Sequence, residues 1–137
     1  DESLNITAFF MKKGAGQLVD GSVYLDANLD ESLFLTPVDT TKRVSDYMID
    51  LRSKEVRDVK ILIPEKMEVS SLPAPYQIHT AWVVFCRTYS QTGNQIVMHK
   101  ECVIHHRRVP RSEIPAWNKI ISDWGAACNE QVVLKEK

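Results

Sequence analysis

His99, Glu101 and His105 stand at i, i+2 and i+6 along an apolar-rich run, a spacing that puts all three on one face of an extended strand. Imidazole nitrogen and carboxylate oxygen are donors that zinc takes at about 2.0–2.2 Å. Donors strung along a single strand need another element to converge on an ion, and no further His or Cys is placed beside them by the sequence. A half-solvated polar stripe explains the same pattern. Cys86, facing His99 across a proposed hairpin, has the residue types of an activated nucleophile. A reactive thiolate wants a cationic, partly exposed pocket, however, and Cys86 lies in the apolar run Trp82–Cys86, where a buried free thiol is the simpler reading. His105-His106-Arg107-Arg108 is basic enough to attract an anion, or is simply a solvated strand end. Trp117 and Trp124, seven residues apart, suit either ligand stacking or the apolar face of a helix, and the helix is favoured. On these grounds no catalytic, cofactor-binding or metal-ligating residue is assigned.

The elements that must position these side chains run from Ile78 to Cys128. Two long runs, Trp82–Tyr89 and Gln95–Ile104, meet at Thr92-Gly93-Asn94, where Gly or Asn supplies the positive φ of a tight hairpin loop. A two-residue loop puts Val83, Phe85, Arg87 and Tyr89 on one face with Ile96, Met98, Cys102 and Ile104. The other face carries Trp82, Val84, Cys86 and Thr88 with Val97, His99, Glu101 and Val103. Both faces are largely apolar, so cover is expected on both, by a second sheet and by the helix. The same register separates Cys86 from Cys102 and argues against a bridge between them. Ile114, Trp117, Ile120, Ile121, Trp124 and Cys128 recur at helical spacing, leaving Asn118, Lys119, Ser122 and Asp123 outward. That predicts a helix over about 112–128, capped near Ser112 with Pro115 in its first turn and weakened at Gly125.

Upstream, strands are expected at Asn5–Met11 and at Gln17–Leu25, the second bent by a bulge at Gly21. Leu33–Leu35 is a short apolar piece and Val38–Ser45 a polar loop. The alternation of Tyr47, Ile49 and Leu51 against Asp50 and Arg52 predicts a half-buried strand. Arg52–Glu55 reads as a turn or bulge. Val56–Ile63, ended by Pro64, is a strand, and Met67 with Val69 gives a shorter one. Pro73 and Pro75 make Ser71–Tyr76 an extended connection, and Gln131–Leu134 is β-branched enough for a last strand.

At 137 residues and 44% hydrophobic content, one domain is expected across 1–137, large enough to bury a core without staples. A net charge of −1 lacks the basic surplus that nucleic acid demands. No apolar run approaches the roughly 20 residues needed to cross a bilayer. Asp1-Glu2-Ser3 carries no signal-peptide pattern, which fits a processed chain, an excised domain or a cytosolic protein equally. Cys86, Cys102 and Cys128 make an odd count without C-x-x-C spacing, so neither a disulfide framework nor a zinc knuckle is indicated.

From Tyr47 onward the chain resembles the domain that follows the transglutaminase-like core in a family of bacterial exported proteins. Tyr47-Met48-Ile49-Asp50-Leu51 looks like that family's aromatic, proline, valine, aspartate, phenylalanine strand, and Val59–Pro64 like its strand ending in Leu-Pro. Leu72-Pro73 with Pro75 is similar to its Leu-Pro-x-Pro connection, and Gly93-Asn94 to its hairpin tip. Pro110 through Ile121 resembles its proline-led helix and Gln131–Leu134 its closing strand. Residues 1–46 match more loosely, through Lys12–Gly16 and the strand after it. Lys66, Thr80-Ala81 and Arg107-Arg108 depart from the pattern at turns.

The resemblance implies a mainly β fold: an antiparallel, immunoglobulin-like β-sandwich with one C-terminal amphipathic helix on a sheet. It also implies a non-catalytic accessory or interaction domain of unknown function in an exported, periplasmic or cell-envelope protein. Its partner would be a catalytic core of the same polypeptide or an envelope protein. The family's Cys/His/Asp chemistry belongs to that separate core, and no segment here resembles its nucleophile motif. Two other readings stand beside this one: a stand-alone small-ligand or carbohydrate-binding sandwich with an aromatic-lined cleft or an exposed apolar patch, and a thiol or metal-dependent enzyme using Cys86, His99 and Glu101.

Overall fold

The computed structural model describes residues 16–28, 36–49 and 54–137. The strands expected at Asn5–Met11 and the apolar piece Leu33–Leu35 lie outside these residues, as do Asp50, Leu51 and Arg52. The described chain is built on antiparallel strands with one long helix near its C-terminal end.

The hairpin forms as its turn chemistry dictates. Strands β7 (Val83–Thr92) and β8 (Gln95–Ile104) pair from Val83 opposite Ile104 down to Thr92 opposite Gln95, leaving a two-residue loop. Gly93 in that loop has a φ of 58°, a conformation that penalises any Cβ. On one flank β8 pairs with β4 (Lys54–Leu62), and on the other β7 pairs with β6 (Tyr76–His79), giving a sheet ordered β4-β8-β7-β6. Lys54 and Glu55 belong to the strand rather than to a turn, and β6 is a strand that the Pro73/Pro75 connection leads into.

Residues 17–25 correct the sequence reading. They form two strands, β1 (Gly16–Val19) and β2 (Ser22–Leu25), joined by Asp20-Gly21 and paired Val19 to Ser22. Both turn residues have positive φ, 49° and 77°, as a tight hairpin turn of matching twist requires. The glycine that looked like a bulge is the corner of a hairpin. β2 pairs with β10 (Val132–Glu136), and β10 pairs with β5 (Met67–Ser71), so the second sheet runs β1-β2-β10-β5. A small third pairing joins β3 (Tyr47–Met48) to β9 (Arg108–Val109), and Ile49 continues it by donating its N–H to the Arg107 carbonyl at 2.7 Å.

Helix α1 (Ile114–Cys128) follows a 3-10 turn at Arg111–Glu113. Ser112 therefore sits inside that turn and does not cap the helix; Glu113 occupies the cap position, with no side-chain hydrogen bond to the first amides. Pro115 lies in the first turn, where a missing N–H costs nothing. Trp117, Ile120, Ile121 and Trp124 are buried with Ile49, Val83, Phe85, Ile104 and Val109 in one core cluster. Trp124 stacks on Phe85 with centroids 4.7 Å apart, and Trp117 meets Trp82 edge-on at 6.2 Å. The tryptophans are thus core anchors, as their spacing predicts. Asn118 departs from the expected outward set. It is half-buried, accepts the Val38 N–H at 2.7 Å and donates to the Val38 carbonyl at 2.9 Å, pinning the loop before β3 to the helix.

A second cluster gathers Ile63, Ile96, Val132 and Leu134, with Val23, Leu25, Ile61, Met67, Val69 and Tyr89 packed around it. Helix and second sheet therefore cover the same side of the hairpin sheet, end to end. The physical reason is the connection: only residues 129–131 separate α1 from β10, so the chain cannot cross to the other side between them. Among the described residues, the cover expected on both faces is found on one. Val84, Cys86, Thr88, Val97, His99, Glu101 and Val103 remain half-exposed on the outer face.

Candidate functional site

The outer face of the hairpin sheet gathers most of the residues singled out for chemistry. Cys86 sits directly opposite Glu101, His99 directly opposite Thr88, and on the far flank Asp58 faces His99. His99 Nδ1 lies 2.7 Å from Asp58 Oδ1, and its Nε2 lies 3.8 Å from Glu101 Oε2. Glu101 also pairs with Lys54 at 3.0 Å. Both imidazole nitrogens thus face carboxylates, and Cys86 stands diagonally across the sheet from the ring. No hydrogen bond joins Cys86 to His99. The set lies on a half-exposed sheet face, and among the described residues no group of three or more His, Cys, Asp or Glu is placed to hold a metal ion. His105 has left the set: it lies past the end of β8, is exposed, and its ring faces that of His79 at 6.2 Å. Asp58 is the member that sequence reading missed, because only the β4–β8 register brings it beside His99.

The basic cluster is divided in the same way. Arg107 donates from Nε to the Ile49 carbonyl at 3.0 Å, and Arg108 pairs with Asp46 at 2.6 Å, so both arginines fasten the β3–β9 pair. Asp46 also accepts the Arg111 N–H at 2.9 Å. That backbone hydrogen bond, with help from Arg108, holds the Asp46 carboxyl below its ordinary range. His105 and His106 stay exposed.

A polar seam crosses the inner face between the two core clusters. Arg87 and Lys100 are direct cross-strand partners, 1% and 4% exposed, beneath the junction of helix and second sheet. Arg87 donates from Nη2 to Glu130 at 2.7 Å and to the Ala74 carbonyl at 2.9 Å, with its guanidinium over the Tyr89 ring. Its Nε and Nη1 are buried without a hydrogen-bond partner. Lys100 donates to Asn28 Oδ1 at 2.9 Å. Burial pushes the Tyr89 hydroxyl above its ordinary pKa, only partly offset by Arg87. The sequence held the signal, since Arg87 falls at an inward position of β7, but Lys100 escaped notice.

No disulfide joins Cys86, Cys102 and Cys128 to one another. A shallow groove of about 460 Å³ lies at the hairpin tip, lined by Ile63, Pro64, Glu65, Met67, Glu68, Gln91, Gly93, Asn94 and Lys137. Among the described residues none that lines it is aromatic.

Against this geometry, residues 21–134 match the family model of a domain of unknown function with solved structure, DUF3858. The chain belongs to the DUF3858 family. No curated protein sequence matches it. The fold is similar to part of the crystal structure of a "putative protease" from Parabacteroides distasonis, with a TM-score of 0.67 at 15% identity over 85% of this chain. The DUF3858 chain spans 24% of the length of that protein. Among the described residues no helix is long and apolar enough to cross a membrane.

Proposed function

We propose that this DUF3858 chain is a non-catalytic accessory domain of a longer, exported polypeptide with a transglutaminase-like, cysteine-protease-like core. It packs on that core or on a protein of the cell envelope. The observation that carries this reading is the scale of the structural likeness: the same fold makes up 24% of a longer protein that bears a protease name. The site geometry supports it, because both nitrogens of His99 face Asp58 and Glu101 and none is bonded to the one thiol on its face. Transglutaminase-like chemistry, export and the envelope partner come from the sequence resemblance.

The experiment is done on the longest natural polypeptide that contains the domain. Cys86→Ser and His99→Ala are expected to leave its hydrolytic or acyl-transfer activity within about two-fold, while excision of residues 16–137 lowers activity or soluble yield at least ten-fold. Activity abolished by Cys86→Ser alone would overturn the assignment. Fractionation of the producing cells checks the compartment.

A further inference from the structure

Between the two core clusters an amine meets a side-chain amide. Lys100, on β8 and 4% exposed, donates from Nζ to Asn28 Oδ1 at 2.9 Å. Asn28 follows β2, so the contact reaches from the hairpin sheet to the second sheet, between residues 72 positions apart. A carbonyl bond of about 1.2 Å then places Nζ no more than about 4 Å from Asn28 Cγ. Reacting atoms in a near-attack arrangement stand about 3–3.5 Å apart, so the remaining gap is about 1 Å or less.

Two features of the surroundings suit a reaction between them. Asp26 accepts the Asn28 N–H on Oδ1 at 2.8 Å, which holds a carboxylate beside the amide. Lys100 is also the direct cross-strand partner of Arg87 on one side and of Arg57 on the other, so three cationic side chains cross the sheet in one row. Turning the middle ammonium into a neutral amide removes a buried charge and two like-charge oppositions, and both changes favour a linked state.

We propose that Lys100 and Asn28 join through an amide bond, an internal staple between the two sheets. The ammonium first cedes a proton to Asp26, and the freed lone pair forms the Nζ–Cγ bond. The two protons that Nζ loses pass through the carboxyl to Nδ2, whose bond to Cγ breaks, so that nitrogen leaves as ammonium. Amine and primary amide thereby become secondary amide and ammonia, with no oxidant or reductant.

Intact mass spectrometry of the purified chain, denatured and reduced after overnight incubation, reads the bond as a loss of about 17 Da from the sequence mass. Proteolysis should then yield a branched peptide that contains both Asn28 and Lys100. Lys100→Arg and Asn28→Ala should each restore the unlinked mass, with circular dichroism confirming that the variants fold, and Asp26→Asn should slow closure at least ten-fold. A cyclic imide at Asn28 gives the same mass loss but survives in Lys100→Arg and yields no branched peptide. A parent chain at its full sequence mass, a loss that persists in Lys100→Arg, or closure at the parental rate in Asp26→Asn would overturn the proposal.

Discussion

Arg87 is a buried cation whose only carboxylate partner, among the described residues, is the half-exposed Glu130. Removing one member of such a pair and replacing the buried charge altogether have different consequences. Glu130→Ala leaves the guanidinium buried with the Ala74 carbonyl and is expected to cost about 1–2 kcal/mol, moderated because half of Glu130 already meets water. Arg87→Met removes the charge together with its two orphaned nitrogens and should fall within about 1 kcal/mol of the parent. Urea denaturation of both variants checks the order, and a larger loss for Arg87→Met would show that the guanidinium stabilises the fold. Trp124→Ala, which deletes a fully buried ring stacked on Phe85, should cost about 3–5 kcal/mol in the same assay. At this scale the sequence was informative about apolar side chains, because helical and strand periods assign them to faces. It was poor for polar ones: the partners of His99, Asn118 and Arg87 come from segments 41, 80 and 43 residues away, and only tertiary register brings them together.

The long hairpin and the helix were legible because each carries its own local instruction, a Gly-Asn turn between alternating runs and a six-member apolar stripe. Strands β9 and β6 are two and four residues long and owe their state to neighbours, so no local pattern announces them. The split at Asp20-Gly21 was in the sequence as a turn dipeptide and was overlooked because the flanking alternation looked continuous. Gly21→Ala, forced to keep a φ of 77°, should destabilise the β1–β2 hairpin by about 1–2 kcal/mol. Asn118→Ala removes two hydrogen bonds that clamp Val38 and is expected to cost about 1–3 kcal/mol. Its signature would be local: faster amide exchange over residues 36–46 with β7 and β8 still protected.

Across the whole molecule, one face of the hairpin sheet is shared by two different covers while the other stays half-exposed. Asp46 ties the helix entry to the β3–β9 pair, and its depressed carboxyl pKa fixes the sign of a pH effect. A folded-state value below the unfolded one means the contribution is complete above the ordinary carboxylate range and disappears as pH falls through the depressed value. An acid titration followed by near-ultraviolet circular dichroism should therefore lose part of its steepness in Asp46→Asn, whereas stability near neutrality drops. β10 occupies an interior place in the second sheet, between β2 and β5, although it follows every other described strand in the sequence. During vectorial synthesis the β1–β2 hairpin and β5 cannot be bridged into one sheet until Glu136 has left the ribosomal exit tunnel. A translational pause before Val132 would therefore prolong an open, chaperone-accessible sheet.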